Sequence, residues 1–101
     1  MSYRVVFLDA AKADTGCIEE YLSQFYPSTA NNFITHLEKT VSNIEAMPYM
    51  YPAYDDFPFF RMAVIDDYLL FYSVDDDLNI VYIHRIIHSK RNISDKILGI
   101  D

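Results

Sequence analysis

Three runs of β-branched and aromatic residues, Phe60–Ile65, Tyr68–Val74 and Ile80–Ile87, follow one another in the second half of the chain. Such residues suit a pleated, half-buried surface. The breaks between them, Asp66-Asp67 and Asp75–Asn79, are short and polar. Neighbouring runs are therefore predicted to pair antiparallel, as a three-strand meander. The third run carries Arg85 and leads into His88, Lys90 and Arg91. From Ile80 to Arg91 there are three Lys/Arg and no acid, in a chain of formal net charge −7. A positive patch on an acidic protein marks where an anionic partner or substrate would sit.

The length of 101 residues fits one domain with one real core, and a hydrophobic content of 51% excludes a disordered chain. No apolar run approaches the roughly 20 residues that span a bilayer, so no membrane association is expected. Met-Ser-Tyr-Arg passes straight into an apolar strand without a small-residue cleavage site, which does not describe a secretory signal. The single Cys17 cannot form an internal disulfide. A cytoplasmic location is the expectation. The acidic balance argues against broad, nonspecific nucleic-acid binding but leaves room for a small basic site.

Ahead of the meander, Tyr3–Leu8 is predicted as a first strand, with Asp9 placed to cap the helix that follows. Ile18, Tyr21, Leu22 and Phe25 follow i, i+3, i+4, i+7 and predict a buried stripe. Gly16 interrupts that helix at a cost of about 1 kcal/mol relative to Ala. Pro27 is expected to stop it, with Ser28 or Thr29 opening the next. The second helix presents Ala30, Phe33, Ile34, Leu37, Val41 and Ile44 on one face and ends near Pro48. Two such helices form an antiparallel hairpin that must bury its stripes on a sheet. Met47–Pro58 reads as an aromatic loop, and Ile93–Leu98 as a short closing helix. The fold class is α+β, in the order β-α-α-β-β-β.

That order resembles the RelE/ParE superfamily, the toxins of type II toxin–antitoxin pairs. An arginine enters the first meander strand at Arg61, an aromatic strand "YLLFY" follows, and "RIIHSKRNI" closes the meander. The opening "YRVVFLDAAKAD" also looks like the family's first strand and helix start. The resemblance implies growth arrest, a link to plasmid stabilisation, and a cognate antitoxin that shields basic residues. In the RelE branch, Lys and Arg on the meander act on mRNA in the ribosome. Here Ala63 and Leu69 stand where that branch often has further basic residues, and no Tyr follows Arg91. The closing motif looks more like the ParE branch, whose members poison DNA gyrase.

Metal-free RNA cleavage needs a base, an acid and cations on the phosphate. Its candidates are His88, with a reference pKa near neutrality, and Arg61 with Arg85 as a phosphate clamp. The alternative is structural: Arg85 pairs with an acid such as Asp66, and His88 bonds the strand end. On a regular strand Arg85 and His88 face opposite sides, and they converge only if the strand bends. Arg61, Arg85, Lys90 and Arg91 are the candidate contacts for nucleic acid, a target enzyme or an antitoxin carboxylate. His84 and His88 lie about 13 Å apart on a strand, too far for one ion. Asp75-Asp76-Asp77 lacks the glycine of a calcium loop and reads as a solvated turn. No metal or cofactor is expected. Tyr49, Tyr51, Tyr54, Phe57 and Phe59 could form an aromatic docking surface or cover a sheet edge. Gyrase, or the ribosome with its mRNA, is the implied target. Whether the chain is an enzyme stays open at this level.

Overall fold

The computed structural model describes residues 2–91 and 93. Its elements are β1 (Arg4–Phe7), α1 (Asp9–Ser23), α2 (Pro27–Ala46), β2 (Ala53–Tyr54), β3 (Phe57–Ile65), β4 (Tyr68–Asp75) and β5 (Ile80–His88). The five strands form one sheet in the order β1-β5-β4-β3-β2. The meander β3-β4-β5 is antiparallel, as the short polar breaks require, and β1 lies parallel to β5. The α+β class and the helical hairpin follow the sequence reading. The short helix expected over Ile93–Leu98 lies outside the described residues apart from Ile93.

Both turns of the meander are shaped by their acids. Ile65 and Tyr68 are paired directly, and Asp66 between them has φ 55. A short polar side chain tolerates that left-handed conformation, and the Asp66 carboxylate is held by His36 Nδ1 of α2 at 2.7 Å. In the second turn, Asp75 Oδ1 accepts from the backbone N–H of Asp77 and Leu78. Asp76 is more than a solvated turn residue. It accepts hydrogen bonds from the hydroxyls of Tyr3 and Tyr49, tying the chain start and the 47–52 segment to this corner. Those two bonds hold its carboxyl below the usual carboxylate range.

The helix boundaries differ from the sequence reading in two places. Asp9 is the first helical residue of α1, and Leu8 occupies the cap without a side-chain bond, so Asp9 acts only through its charge in the first turn. Pro27 opens α2 instead of merely ending α1. Its fixed φ suits the first helical position, where the missing N–H has no intrahelical partner to lose. Because α1 ends at Ser23, the helical period does not carry Phe25 inward. Phe25 and Tyr21 are 58% and 54% exposed and pack edge to face at 5.2 Å. The inward stripe of α1 is Ala11, Ile18 and Leu22.

The core lies between the hairpin and one sheet face. Phe33, Leu37 and Ile44 of α2 meet Ala63, Ile65, Tyr68, Leu70, Tyr72, Val81 and Ile83. Full burial of each large apolar side chain contributes about 1.5–3 kcal/mol. Tyr72 is wholly buried, and its hydroxyl donates to Pro48 O at 2.6 Å. The segment read as a loop contains β2, which hairpins back onto β3 through Asp55-Asp56, with Tyr54 opposite Phe57. Tyr54 then stacks on Phe57 and meets the buried ring of Phe71 edge-on at 5.1 Å. Two of the loop aromatics thus cover the other sheet face, while Phe59 remains 74% exposed.

Candidate functional site

The sequence puts its basic cluster at the end of β5, and the site there is shaped by where β1 stops. β1 pairs only with Ile80–Ile83, and Leu8 N–H closes that ladder on Ile83 O. Among the described residues, the rest of β5 has no strand on that side. α1 crosses there instead, and Asp14 accepts the backbone N–H of Ile86 at 3.0 Å. On its other side, β5 pairs with β4 through a bulge: Phe71 faces Arg85 and Tyr72 faces Ile83, so His84 is the extra residue. The bulge breaks the alternation, and both Ile83 and Ile86 reach the helix-side core.

Arg85 and His88 consequently line one groove of about 710 Å³ between α1 and the end of β5. Arg91, Asp67, Cys17 and Tyr21 also contribute to its walls. This is the convergence that a bent strand permits and a regular one forbids.

Arg85 is engaged within the protein. Its Nε donates to Asp14 Oδ2 at 2.7 Å and its Nη2 to Asp14 Oδ1 at 3.0 Å, a two-pronged fork. The pair is only 23% and 17% exposed. The partner is Asp14, not Asp66, which pairs with His36. Asp14 was missed in the sequence, although it sits between Ala11 and Ile18 on the buried stripe of α1. An acid on an apolar helical stripe signals a buried cation elsewhere in the chain.

The His88 ring packs against Tyr68 at 5.3 Å, and its Nδ1 accepts the backbone N–H of Lys90 at 3.1 Å. A neutral His88 accepting at Nδ1 carries its proton on Nε2. Its free edge is then a hydrogen-bond donor and not a base. Ser89 and Arg91 close the turn through backbone bonds to Asp67 O and His88 O. The side chains of Lys90 and Arg91 are exposed, and Arg91 borders the groove.

Arg61 is placed elsewhere. It lies in the row of Tyr72 and Ile83, whereas His88 lies in the row of Tyr68 and Ile65. The two rows are four residues apart along β3, about 13 Å. The Arg61 guanidinium stacks 4.7 Å from the Tyr49 ring centre and donates to Tyr51 O at 2.6 Å. It pins the 47–52 segment, and the structure does not bring it to Arg85. His84 is also outside the groove: its Nε2 bonds Ser73 Oγ at 2.8 Å, its ring meets Phe60, and burial pushes its pKa down. Among the described residues, no cluster of His, Cys, Asp or Glu could hold a metal ion, and no helix is long and apolar enough to cross a membrane.

A helical hairpin over a mixed sheet, with basic residues gathered at the end of its last strand, is the architecture that the sequence's resemblance to the RelE/ParE superfamily implied, and the comparisons place the chain among those toxins. Residues 5–93 match the family described as the ParE toxin of the type II toxin–antitoxin system parDE, and the chain belongs to that family. It is similar to a structure of the chromosomal ParDE system from P. aeruginosa, with a TM-score of 0.73 at 14% identity over 88% of this chain and 98% of that one. The RelBE2 toxin–antitoxin complex from Mycobacterium tuberculosis gives a TM-score of 0.61 at 22% identity over 87% and 99%. The isolated RelE toxin of E. coli gives 0.61 at 14% identity over 97% of each chain. No curated protein sequence matches this chain closely.

Proposed function

We propose that this toxin arrests bacterial growth by binding a protein target of the DNA gyrase type, without cleaving RNA, and that a cognate antitoxin silences it in the cytoplasm. The observation that carries this reading is the Arg85–Asp14 fork. A phosphate clamp needs Arg61 and Arg85 on one anion. Arg85 already holds a carboxylate, and Arg61 holds loop carbonyls on a different strand. With its Nδ1 engaged by Lys90 N–H, a neutral His88 offers an Nε2–H that could serve as the acid of cleavage but leaves the base to be supplied by another group. A protein-binding inhibitor needs none of these groups for catalysis.

Similarity to the ParDE system and to the RelBE2 complex supports an antitoxin partner. Acidic antitoxin side chains would find Lys90 and Arg91 exposed, with Arg91 beside the groove, while Arg61 and Arg85 would add charge without giving up their internal bonds. A second reading rests on the shared groove of Arg85 and His88: an endoribonuclease with Arg85 on phosphate and His88 in proton transfer, without the contribution expected of Arg61.

Inducible expression in a bacterial host separates the two. Growth, total RNA and plasmid supercoiling are followed together. Arrest with intact mRNA and gyrase-linked DNA damage is the expected result. Arrest with mRNA cleavage would transfer the assignment to the ribonuclease. His88→Gln sharpens the distinction: a binder keeps its toxicity, whereas a ribonuclease loses at least about a hundredfold in rate.

A further inference from the structure

The helical hairpin covers one face of the sheet, and among the described residues no helix covers the other. Tyr54 shields that far face where its ring meets Phe71. Strand alternation assigns the rest. Val5 and Phe7 pack against the core, so Arg4 and Val6 point the other way. Val81 and Ile83 are core residues, so Ile80 and Tyr82 share the far face. Asp75 joins them, since Val74 before it packs inward. Phe59, in the irregular stretch at the start of β3, is 74% exposed and lines one cavity with Tyr82. One charged row crosses this surface. Arg4 pairs with Ile80, and Ile80 with Asp75, so a cation, an apolar residue and an acid stand side by side on β1, β5 and β4. Arg4 is exposed, and its side chain has no hydrogen bond or ion pair among the described residues. At the other end of the row, Phe59, Tyr82, Asp75 and Asp77 wall the cavity, which measures about 320 Å³.

We propose that this face pairs with a second copy of the chain, Arg4 of each copy entering the cavity of the other. The row is self-complementary. When two such faces meet about a two-fold axis running along β5, the axis exchanges the positions of β1 and β4. Each Arg4 then lies over Asp75 of the other copy, in the same row. Stacked sheets sit about 10 Å apart, a gap that an arginine from one side and an aspartate from the other span together. Aligned sheets keep their strands within about 30° of each other, so a row only three strands wide stays close to register. Phe59 supplies a ring for the guanidinium, and Tyr82 meets its own counterpart near the axis. Opposite charges at mirrored positions about one strand are what a two-fold contact requires, and they favour a second copy over an unrelated partner. The net charge of −7 on each copy opposes the approach, which makes the dimer a weak one. The inference goes beyond the proposed function and does not depend on which target the toxin poisons. The row lies at the start of β5 and leaves the groove at its end open.

Sedimentation equilibrium of the full chain, from about 1 to about 300 μM in about 0.15 M salt to screen the net repulsion, reads the association. The wild type should dimerise with a Kd on the order of 10–100 μM, as a small interface does. Arg4→Asp sets acid against acid, and Asp77→Arg sets cation against cation, so each should weaken its homodimer at least about tenfold. An equimolar mixture of the two variants should recover the dimer to within about threefold of the wild-type Kd, because both of its contacts again join an acid to a cation. Thermal melts establish that each variant is folded. If Asp77→Arg is not, Asp75→Asn takes its place: it keeps an acceptor for the N–H groups of the turn, and it should weaken the dimer at least about threefold. A wild type that stays monomeric at every concentration overturns the proposal and leaves the face to another partner. So does a dimer that Arg4→Asp or Asp75→Asn leaves intact, and so does a mixture of folded Arg4→Asp and Asp77→Arg that stays monomeric.

Discussion

Tyr72→Phe removes one oxygen from the centre of the core and nothing else. The ring stays, wholly buried, at 6.5 Å from Tyr51. What is lost is the 2.6 Å hydrogen bond to Pro48 O, which joins β4 to the segment leaving α2. An intramolecular bond of this kind is worth about 1 kcal/mol net, and a buried carbonyl left without its donor costs about 1–3. The variant should therefore lose about 1–2 kcal/mol at pH 7, a fall in Tm of roughly 4–16 °C for a domain of this size. Burial pushes the Tyr72 hydroxyl up to about 12 from an ordinary value of 10.0. A folded-state pKa above the unfolded one gives a contribution that is complete below about pH 10 and is lost as pH rises toward 12. Two units of separation correspond to an order of 2–3 kcal/mol. The wild type should thus lose its advantage over Tyr72→Phe in strong alkali. Urea unfolding of both proteins at pH 7, 10 and 11.5 measures this. Equal stability at pH 7, or a gap that stays constant to pH 11.5, would refute the account of a buried, bonded hydroxyl.

Gly16→Ala should stabilise the protein by up to about 1 kcal/mol, because a Cβ there meets nothing within 4 Å and the helix gains backbone rigidity; a lower urea midpoint would contradict it. His84 is held neutral by burial, with its folded pKa depressed below 6.5. Its contribution is present above about pH 6.5 and is lost as pH falls through that range, so His84→Gln should flatten the decline in stability between pH 7 and pH 5, read from thermal melts. Unchanged pH dependence in that variant would exclude His84 as the titrating group.

Much of the fold was legible because its periods are local. The face of α2 from Ala30 to Ile44 repeats every 3.6 residues, and four of its six positions are buried with the other two packed against the core. The meander was legible because its turns are two short polar breaks. The α1 stripe was half legible: Ile18 and Leu22 pack inward, but Phe25 falls beyond the end of the helix, which a hydrophobic period cannot show, and Tyr21, still within it, turns to the groove wall. β2 is only two residues long and sits among prolines, so neither composition nor alternation marks it. The candidate site was legible as a cluster of charges and illegible as a geometry. Arg85, His88, Lys90 and Arg91 are adjacent in sequence. Their orientations, and the distance of Arg61 from them, depend on register.

By itself, then, the sequence determined the class of fold, the hairpin, the antiparallel order of the last three strands and the place where positive charge gathers. These follow from turn chemistry and from the spacing of apolar residues, which act over a few residues at a time. Only the tertiary structure decided that β1 ends opposite Ile83, that β5 bulges at His84, and that Asp14 meets Arg85 across 71 positions of chain. Those outcomes are set by packing and by the need to satisfy a half-buried guanidinium and a backbone N–H beyond the end of the β1 ladder, and no local pattern encodes which distant carboxylate will do so.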